Sequence, residues 1–325
     1  RLFRGLIILK ENLNKIVLAL TVVVGAIVFI YFNSERYPSL SFHSTEKTFY
    51  HSPDQEASTK FPSLKDESSL DLTIVVPAYN EEKRLPVMLD EALEYLEYRK
   101  KTSKFTYEIV IVDDGSKDAT SKVGLKYSQK YGTDKVRVMT LYKNRGKGGA
   151  VRQGMLVGRG KILLFADADG ASKFSDIEKL EEELEKICEN GLAVVCGSRA
   201  HLEEESIAHR SIFRTFLMHG FHFVSFLCVR GVRDTQCGFK LLSRHAADVL
   251  FSNLHVNRWA FDVDLLYLAE FFKMPIGEVA VKWEEIEGSK MVPVLSWIEM
   301  GLDILLIRLR YSIGAWKIRD LKSMK

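Results

Sequence analysis

Cysteine is scarce, with only Cys188, Cys196, Cys228 and Cys237 in 325 residues. No two have C-x-x-C spacing and none neighbours a histidine at zinc-ligand spacing, which argues against a thiolate metal site or a disulfide framework. Reduced, mostly buried thiols are what remains, and they suit a reducing compartment. None of the eight asparagines opens an N-x-S/T sequon, in keeping with a domain that never meets the glycosylation machinery. An excess of one charge is lacking as well. The 46 Lys+Arg and 43 Asp+Glu leave a net +3 with the signs interspersed, so the concentrated basic surface of a nucleic-acid binder is missing. At 46% hydrophobic and 27% charged the composition excludes disordered and collagen-like classes, and the length suffices for one large α/β domain or two small ones.

What is present begins with an uncharged run, Ile16–Phe32. As a helix at ~1.5 Å per residue it spans roughly 26 Å, close to the ~27 Å hydrocarbon core of a thin bilayer. Tyr31 and Phe32 fall where interfacial aromatics belong. The rivals are a cleaved signal peptide and a buried core helix; no small-x-small cleavage site follows, and a membrane anchor is expected. The sequence opens on Arg1 and not Met, which leaves room for preceding residues. Residues 33–70 are Ser-rich, hold Pro38, Pro53 and Pro62, show no periodicity, and are expected to form a tether.

From Asp71 the chain alternates between short apolar runs and helical patterns. Leu72–Pro77, Glu108–Val112, Val136–Leu141, Lys161–Phe165 and Leu192–Cys196 predict buried strands, and Leu85–Arg99 and Phe174–Asn190 predict helices. Such alternation implies right-handed crossovers and a parallel sheet covered on both faces. Its ligands would sit beyond the carboxyl ends of the strands. Those ends carry Pro77-Ala78-Tyr79-Asn80-Glu81, Asp113-Asp114-Gly115-Ser116 and Asp167-Ala168-Asp169-Gly170. Converging carboxylates raise one another's pKa unless a cation or ligand donors intervene. The competing explanation, helix capping and turn formation, stands on equal terms for Asp113 and Asp118 and less well for the D-x-D of Asp167 and Asp169. Asn144–Gly149 has neither P-loop nor G-x-G-x-x-G spacing. An Asp-nucleophile phosphatase would want its motif on the first strand.

The runs VVPAYNEEKRLP, IVDDGSKDAT, KNRGKGGAVRQG and FADADGA resemble the inverting GT-A glycosyltransferases of family 2 type. CGSRAHLE, RDTQCGFKLL, RWAFDVDLL and EIEGSK are similar to the branch that transfers β-glucose to dolichyl phosphate at the endoplasmic reticulum. The resemblance covers roughly residues 71–316. It implies a Rossmann-like, mostly parallel sheet with helices on both faces over residues 71–290. The flank is then 1–15, the transmembrane anchor 16–32, the tether 33–70, and 291–325 an interfacial amphipathic helix and tail. It also implies a UDP-glucose donor, a dolichyl phosphate acceptor and a divalent cation, Mg²⁺ or Mn²⁺. By position, Pro77, Tyr79 and Glu81 would border the uridine. Val112 and Asp114 would meet the base. Asp167, Ala168 and Asp169 would hold the ribose and the metal-bound diphosphate, with Asp167 and Asp169 the metal ligands. Arg199 and Lys290 match basic positions that related enzymes use on phosphates. Related mannosyl enzymes carry an Arg six places before that Lys, where this chain has Glu284; Arg233 and Lys240 are the candidates for the second basic partner.

A phosphate nucleophile with second pKa near ~6 is largely dianionic at neutral pH, so no strong base is needed, which suits the absence of an obvious catalytic His. Asp262 or Asp264 would orient the acceptor or sugar hydroxyls, unless they are capping carboxylates. For the lipid tail the sequence offers an aromatic-rich run, 207–229, and a helix, 294–313. The helix has Ile298, Leu302, Leu305 and Leu309 on one stripe and Glu299 and Asp303 on another; core packing is the alternative for both. A mannosyltransferase using GDP-mannose and a non-catalytic, membrane-tethered nucleotide-sugar binder are the rival functions. On topology two considerations conflict. Arg1, Arg4, Lys10 and Lys15 precede the span and only Arg36 follows closely, which favours a lumenal domain. The donor that the resemblance implies is cytosolic, the thiols are unpaired and sequons are absent, so a cytosol-facing domain is expected.

Overall fold

The computed structural model describes residues 2–54, 57–201, 229, 231–284, 286 and 295–320. The aromatic-rich run at 207–228 and Lys290 lie outside the described residues. Helix α1 (Leu2–Phe32) contains, over Asn12–Phe32, a stretch long and apolar enough to cross a membrane, with none of it buried in the protein. A hairpin of β1 (Thr48–Tyr50) and β2 (Ser58–Lys60) follows.

The five expected runs become β3 (Leu70–Ala78), β4 (Tyr107–Asp113), β5 (Val136–Thr140), β6 (Gly160–Ala166) and β7 (Val194–Ser198). Between them lie α2 (Leu85–Thr102), α3 (Thr120–Tyr131), α4 (Lys147–Met155) and α5 (Ile177–Ile187). Neighbouring residues of β3 face opposite sides, and both sides are core. Ile74 and Val76 pack in one apolar cluster and Val75 in the other, which is why this strand reads as an unbroken apolar run. Helix α2 starts on a proline in its first turn, buries Leu85, Met88, Leu89, Ala92, Leu93 and Leu96, and ends with Arg99, Lys100 and Lys101 near its negative pole.

Two strands of the large sheet lay outside the expectation, β8 (Phe239–Ser243) and β9 (Ile276–Ala280), with α6 (Arg244–Asn253) and α7 (Phe261–Phe271) between them. Lys240 interrupts the apolar pattern of β8, and Gly277 and Glu278 that of β9. The sheet runs β5-β4-β3-β6-β8-β7-β9. It is parallel at β3–β4, β4–β5, β3–β6 and β7–β9, and β8 alone runs antiparallel to both its neighbours. Helix α8 (Leu295–Ser312) closes the fold, burying Met300, Ile304 and Ile307 while Leu302 and Leu305 stay exposed. Both readings of this helix thus have a share of its surface: one face is core, and the other offers part of the expected apolar stripe to the outside.

The segment expected as a tether is instead folded onto the domain. Phe49, Phe61 and Leu64 are buried, and Glu46 is fully so. The Arg137 guanidinium sits 5.4 and 5.5 Å from the Phe49 and Phe61 rings. The Arg36 carbonyl accepts the Lys317 N–H at 2.8 Å. These are isolated anchors joined by main-chain and ionic contacts, so no period of 2 or 3.6 reveals them.

Beneath the hairpin, Glu108 is fully buried. It accepts from Arg137, from the Arg159 side chain at 2.7 Å, from the Arg159 N–H at 2.7 Å and from the Thr73 hydroxyl at 2.7 Å. Burial lowers the Arg137 pKa, and Glu108 opposes that shift. Glu108→Ala should therefore leave a buried charge unpaired and cost about 3–5 kcal/mol, read as a lowered thermal midpoint. The pair Glu108→Leu with Arg137→Met, which removes both charges, should recover most of the loss.

Candidate active site

Strand order reverses between β3 and β6, the place where open α/β sheets bind ligands. The acidic residues at these strand ends divide into two kinds. Asp113 accepts the Ser116 N–H at 2.8 Å and the Ser121 hydroxyl. Asp118 accepts the Thr120 N–H at 3.0 Å and the Glu82 N–H at 3.1 Å. Both therefore shape the turn into α3. Asp114 differs. Its two carboxylate oxygens take the Arg145 N–H at 2.6 Å and the Gly146 N–H at 2.9 Å, so it grips the loop between β5 and α4. Burial pushes its pKa up to about 7 against those two amides.

Asp167 follows β6, and its N–H donates to the Gly238 carbonyl at 3.0 Å. Gly238, at the mouth of β8, backs the carboxylate so closely that a Cβ there would stand 1.9 Å from an Asp167 oxygen. One side of that carboxylate is thus closed by backbone. On another, the Lys147 ammonium lies 2.7 and 2.9 Å from its two oxygens. Asp169 accepts the Ala171 N–H at 3.1 Å. Burial, then the charge of Asp167, raises its pKa, while Arg84 and Lys147 act in the other direction. Arg84 is held by both Glu81 oxygens at 2.6 and 2.7 Å, so Glu81 addresses the aspartates through a cation. Ala168 is buried in the core. Val112 also differs from expectation: its side chain is fully buried in the core, against Gly154.

Under this layer lies a second pair. Lys240, fully buried on β8, donates to Asp262 at 2.7 Å and to the Cys237 carbonyl at 2.6 Å. Burial opposes the lysine charge, but the surrounding groups, Asp262 foremost among them, together outweigh it, and the pKa lies above the ordinary value. Burial raises Asp262, which Lys240 and Lys147 pull back. Asp264, two residues on, has another task. It accepts the His255 and Val256 amides at 2.7 and 2.9 Å and the Tyr311 hydroxyl at 2.7 Å, tying α7 to α8. Asp262 is therefore the carboxylate of this pair whose charge reaches the site.

The expected phosphate-binding Arg199 is already paired. Its Nε and Nη2 meet the two Asp234 oxygens at 2.7 and 2.9 Å, and its N–H adds a third bond at 2.9 Å. Its charge still reaches Asp167. Of the candidates for a second basic partner, Lys240 is committed to Asp262, and Arg233 is exposed with its N–H on Glu278 at 3.0 Å. Glu284 is close to the D-x-D turn, its N–H donating to the Ala171 carbonyl at 2.9 Å. Lys147 and Arg84 were not singled out from the sequence. The signal for Lys147 was its glycine-rich setting: a Cβ on Gly148 would stand 2.4 Å from the Phe261 Cβ. Glycine there lets α4 approach α7 and brings Lys147 near Asp167 and Asp262 together.

Asp167 and Asp169 are hard oxygen donors, and a Mg²⁺ or Mn²⁺ completed by substrate phosphates asks for only one or two protein carboxylates. Among the described residues no cluster of three or more His, Cys, Asp or Glu could cage an ion. The donor set thus fits an open, substrate-completed cation and not a closed structural one.

The family model of glycosyl transferase family 2 matches residues 73–251. The chain is 61% identical to the dolichyl-phosphate β-glucosyltransferase of Homo sapiens, over 89% of this chain and 90% of that one. It is 58% identical to that of Mus musculus, over 93% of each. Among solved structures, the fold is similar to that of glucosyl-3-phosphoglycerate synthase from Mycobacterium tuberculosis in complex with Mn²⁺ and uridine-diphosphate-glucose. The TM-score there is 0.51 at 19% identity, covering 78% of this chain and 81% of that one. This last likeness concerns the GT-A fold alone.

The junction beside Asp264 generates a pH prediction. His255 stacks on Trp316 with centroids 4.5 Å apart, and burial lowers its pKa to about 4. The unfolded chain takes up this proton near pH ~6.5 and the folded one only near 4, so stability should fall as pH drops between those values. Thermal midpoints measured from pH 7 to pH 5 should decline, and His255→Gln should flatten that decline.

Proposed function

The chain belongs to the dolichyl-phosphate β-glucosyltransferases of glycosyl transferase family 2, and on that premise we propose that it transfers glucose from UDP-glucose to dolichyl phosphate with inversion at the anomeric carbon. The observation that carries the proposed site is the D-x-D of Asp167 and Asp169 at the reversal of strand order, interleaved with the cations Lys147 and Arg84. Pro77, Tyr79 and Glu81 border the uridine in this reading. Asp114 accepts from the base, with Val112 contributing main chain only. Asp167, Ala168 and Asp169 flank the ribose and diphosphate.

A Mg²⁺ or Mn²⁺ held by Asp167 and Asp169 would neutralise charge on the departing diphosphate. The chain's own groups do the rest. Lys147 stands where incoming phosphate oxygens compete with Asp167 for its ammonium, adding fixed positive charge at the leaving group. Lys240 opposes the burial that raises Asp262, and Asp262 in turn supports the charge of Lys147. Arg199, clamped by Asp234, contributes its field and positions the end of β7; Lys290 is the further candidate for phosphate contact. The acceptor phosphate is itself an adequate nucleophile at neutral pH, so no residue is assigned as its base. The acceptor's tail is taken at the bilayer, where α1 is the anchor and the exposed Leu302 and Leu305 face of α8 lies in the interface. The endoplasmic reticulum is the membrane, with the domain in the cytosol.

Asp169→Asn keeps the shape and removes the ligand charge, and it should lower turnover by about 100-fold or more in a protein whose thermal midpoint is unchanged. Metal-dependent activity equal to wild type would overturn the assigned role. Orientation is tested with Ala57→Asn, which completes a sequon with the exposed Ser58 and Thr59. In sealed microsomes this site should stay unglycosylated and added protease should degrade the domain. Glycosylation together with protection would place the domain in the lumen.

A further inference from the structure

Glu46 lies fourteen positions beyond the last residue of α1, in the segment that the sequence presents as a tether, yet it is fully buried and faces the loop between β5 and α4. One carboxylate oxygen accepts the Tyr142 N–H at 3.0 Å. The other accepts the Arg145 guanidinium at 2.5 Å and the His43 N–H at 2.8 Å. The His43 ring stacks on Tyr142 with centroids 4.3 Å apart. Arg145 also reaches the Ser41 carbonyl at 3.3 Å. The same short loop supplies the Arg145 and Gly146 amides that grip Asp114. A buried carboxylate holding one end of a loop by charge-assisted hydrogen bonds fixes the other end as well, because only a few peptide units separate them.

We propose that Glu46 is a positioning residue for the donor: from the anchor-proximal segment it holds residues 142–146 in the geometry that presents Asp114 to the nucleoside of a nucleoside-diphosphate sugar. The proposal rests on the reading of Asp114 as a donor-binding group. It makes the segment after the anchor part of the nucleotide site and not merely a leash. Glu46 does not touch the donor; it acts through main-chain amides, so its loss should weaken binding of the nucleotide while leaving the transfer step alone.

The test uses the full chain in membranes or detergent, with Glu46→Gln, Arg145→Met, the double variant and Asp114→Asn. Arg145→Met keeps the amides that grip Asp114 and removes the Glu46 ion pair together with the longer bond to the Ser41 carbonyl, so it probes the same link should Glu46→Gln fold poorly. Each of Glu46→Gln and Arg145→Met should raise the KM for UDP-glucose and the Kd for UDP by about tenfold, with kcat within about twofold. Because both break the Glu46–Arg145 ion pair, the double variant should fall well short of the sum of the two single losses. Unchanged KM and Kd in folded Glu46→Gln and Arg145→Met proteins, alongside raised values in Asp114→Asn, would overturn the inference alone. Losses of folded yield and kcat with KM unmoved would overturn it too, by making the contact purely structural. Unchanged values in Asp114→Asn would overturn the donor reading and this inference together.

Discussion

Carboxylates gathered at the carboxyl edge of one sheet can stay charged and close only if positive charge is buried among them. In this fold that charge is built in two layers. Lys240 reaches Asp262 from inside the sheet, and Lys147 reaches Asp167 from the start of α4. The antiparallel strand β8 is what permits it. Running against its neighbours, it presents Gly238 beside the D-x-D turn and Lys240 beneath it. Take away either ammonium and Asp262 or Asp167 would be left without its cation, at the edge where the proposed divalent cation and diphosphate would be received.

The sheet was largely legible in the sequence because strands covered on both faces are unbroken apolar runs. The five that were read lie within a few residues of β3 to β7. The two that were missed carry the site's own requirements inside them. Lys240 breaks the pattern of β8 for the sake of Asp262, and Gly277 and Glu278 break that of β9, where Glu278 takes the Arg233 and Asp234 amides. Residues 33–70 escaped for a different reason. Phe49, Phe61, Leu64 and Glu46 are single anchors without a period, and their partners lie far away in sequence.

At the site, residue type foretold the neighbourhood better than the contact. Asp113 and Asp118 took the ordinary work of turn and cap, while Asp114, with the same chemistry one residue along, turned to the loop after β5. The D-x-D spacing located Asp167 and Asp169 at the strand end but could not disclose Lys147, twenty residues earlier, or Arg84, on another strand's exit. Arg199 was legible as a cation and illegible as half of a fork with Asp234, since its partner comes from the segment leading into β8, 35 residues on.

The contact between the Arg36 carbonyl and the Lys317 amide also sets a length scale. Helix α1 ends at Phe32, and the four residues from there to Arg36 can span at most ~14 Å even fully extended. With α1 in a bilayer, as proposed, the domain would not drift outward on a slack linker and would stay near the headgroups. Its encounters are then confined largely to a plane. An acceptor that shares that plane is searched for by lateral diffusion, at an effective concentration that bulk solution does not match. A water-soluble phosphate of the same chemistry gains nothing from the arrangement. On the proposed anchoring, part of the preference for a lipid-borne acceptor would reside in the shortness of that connection.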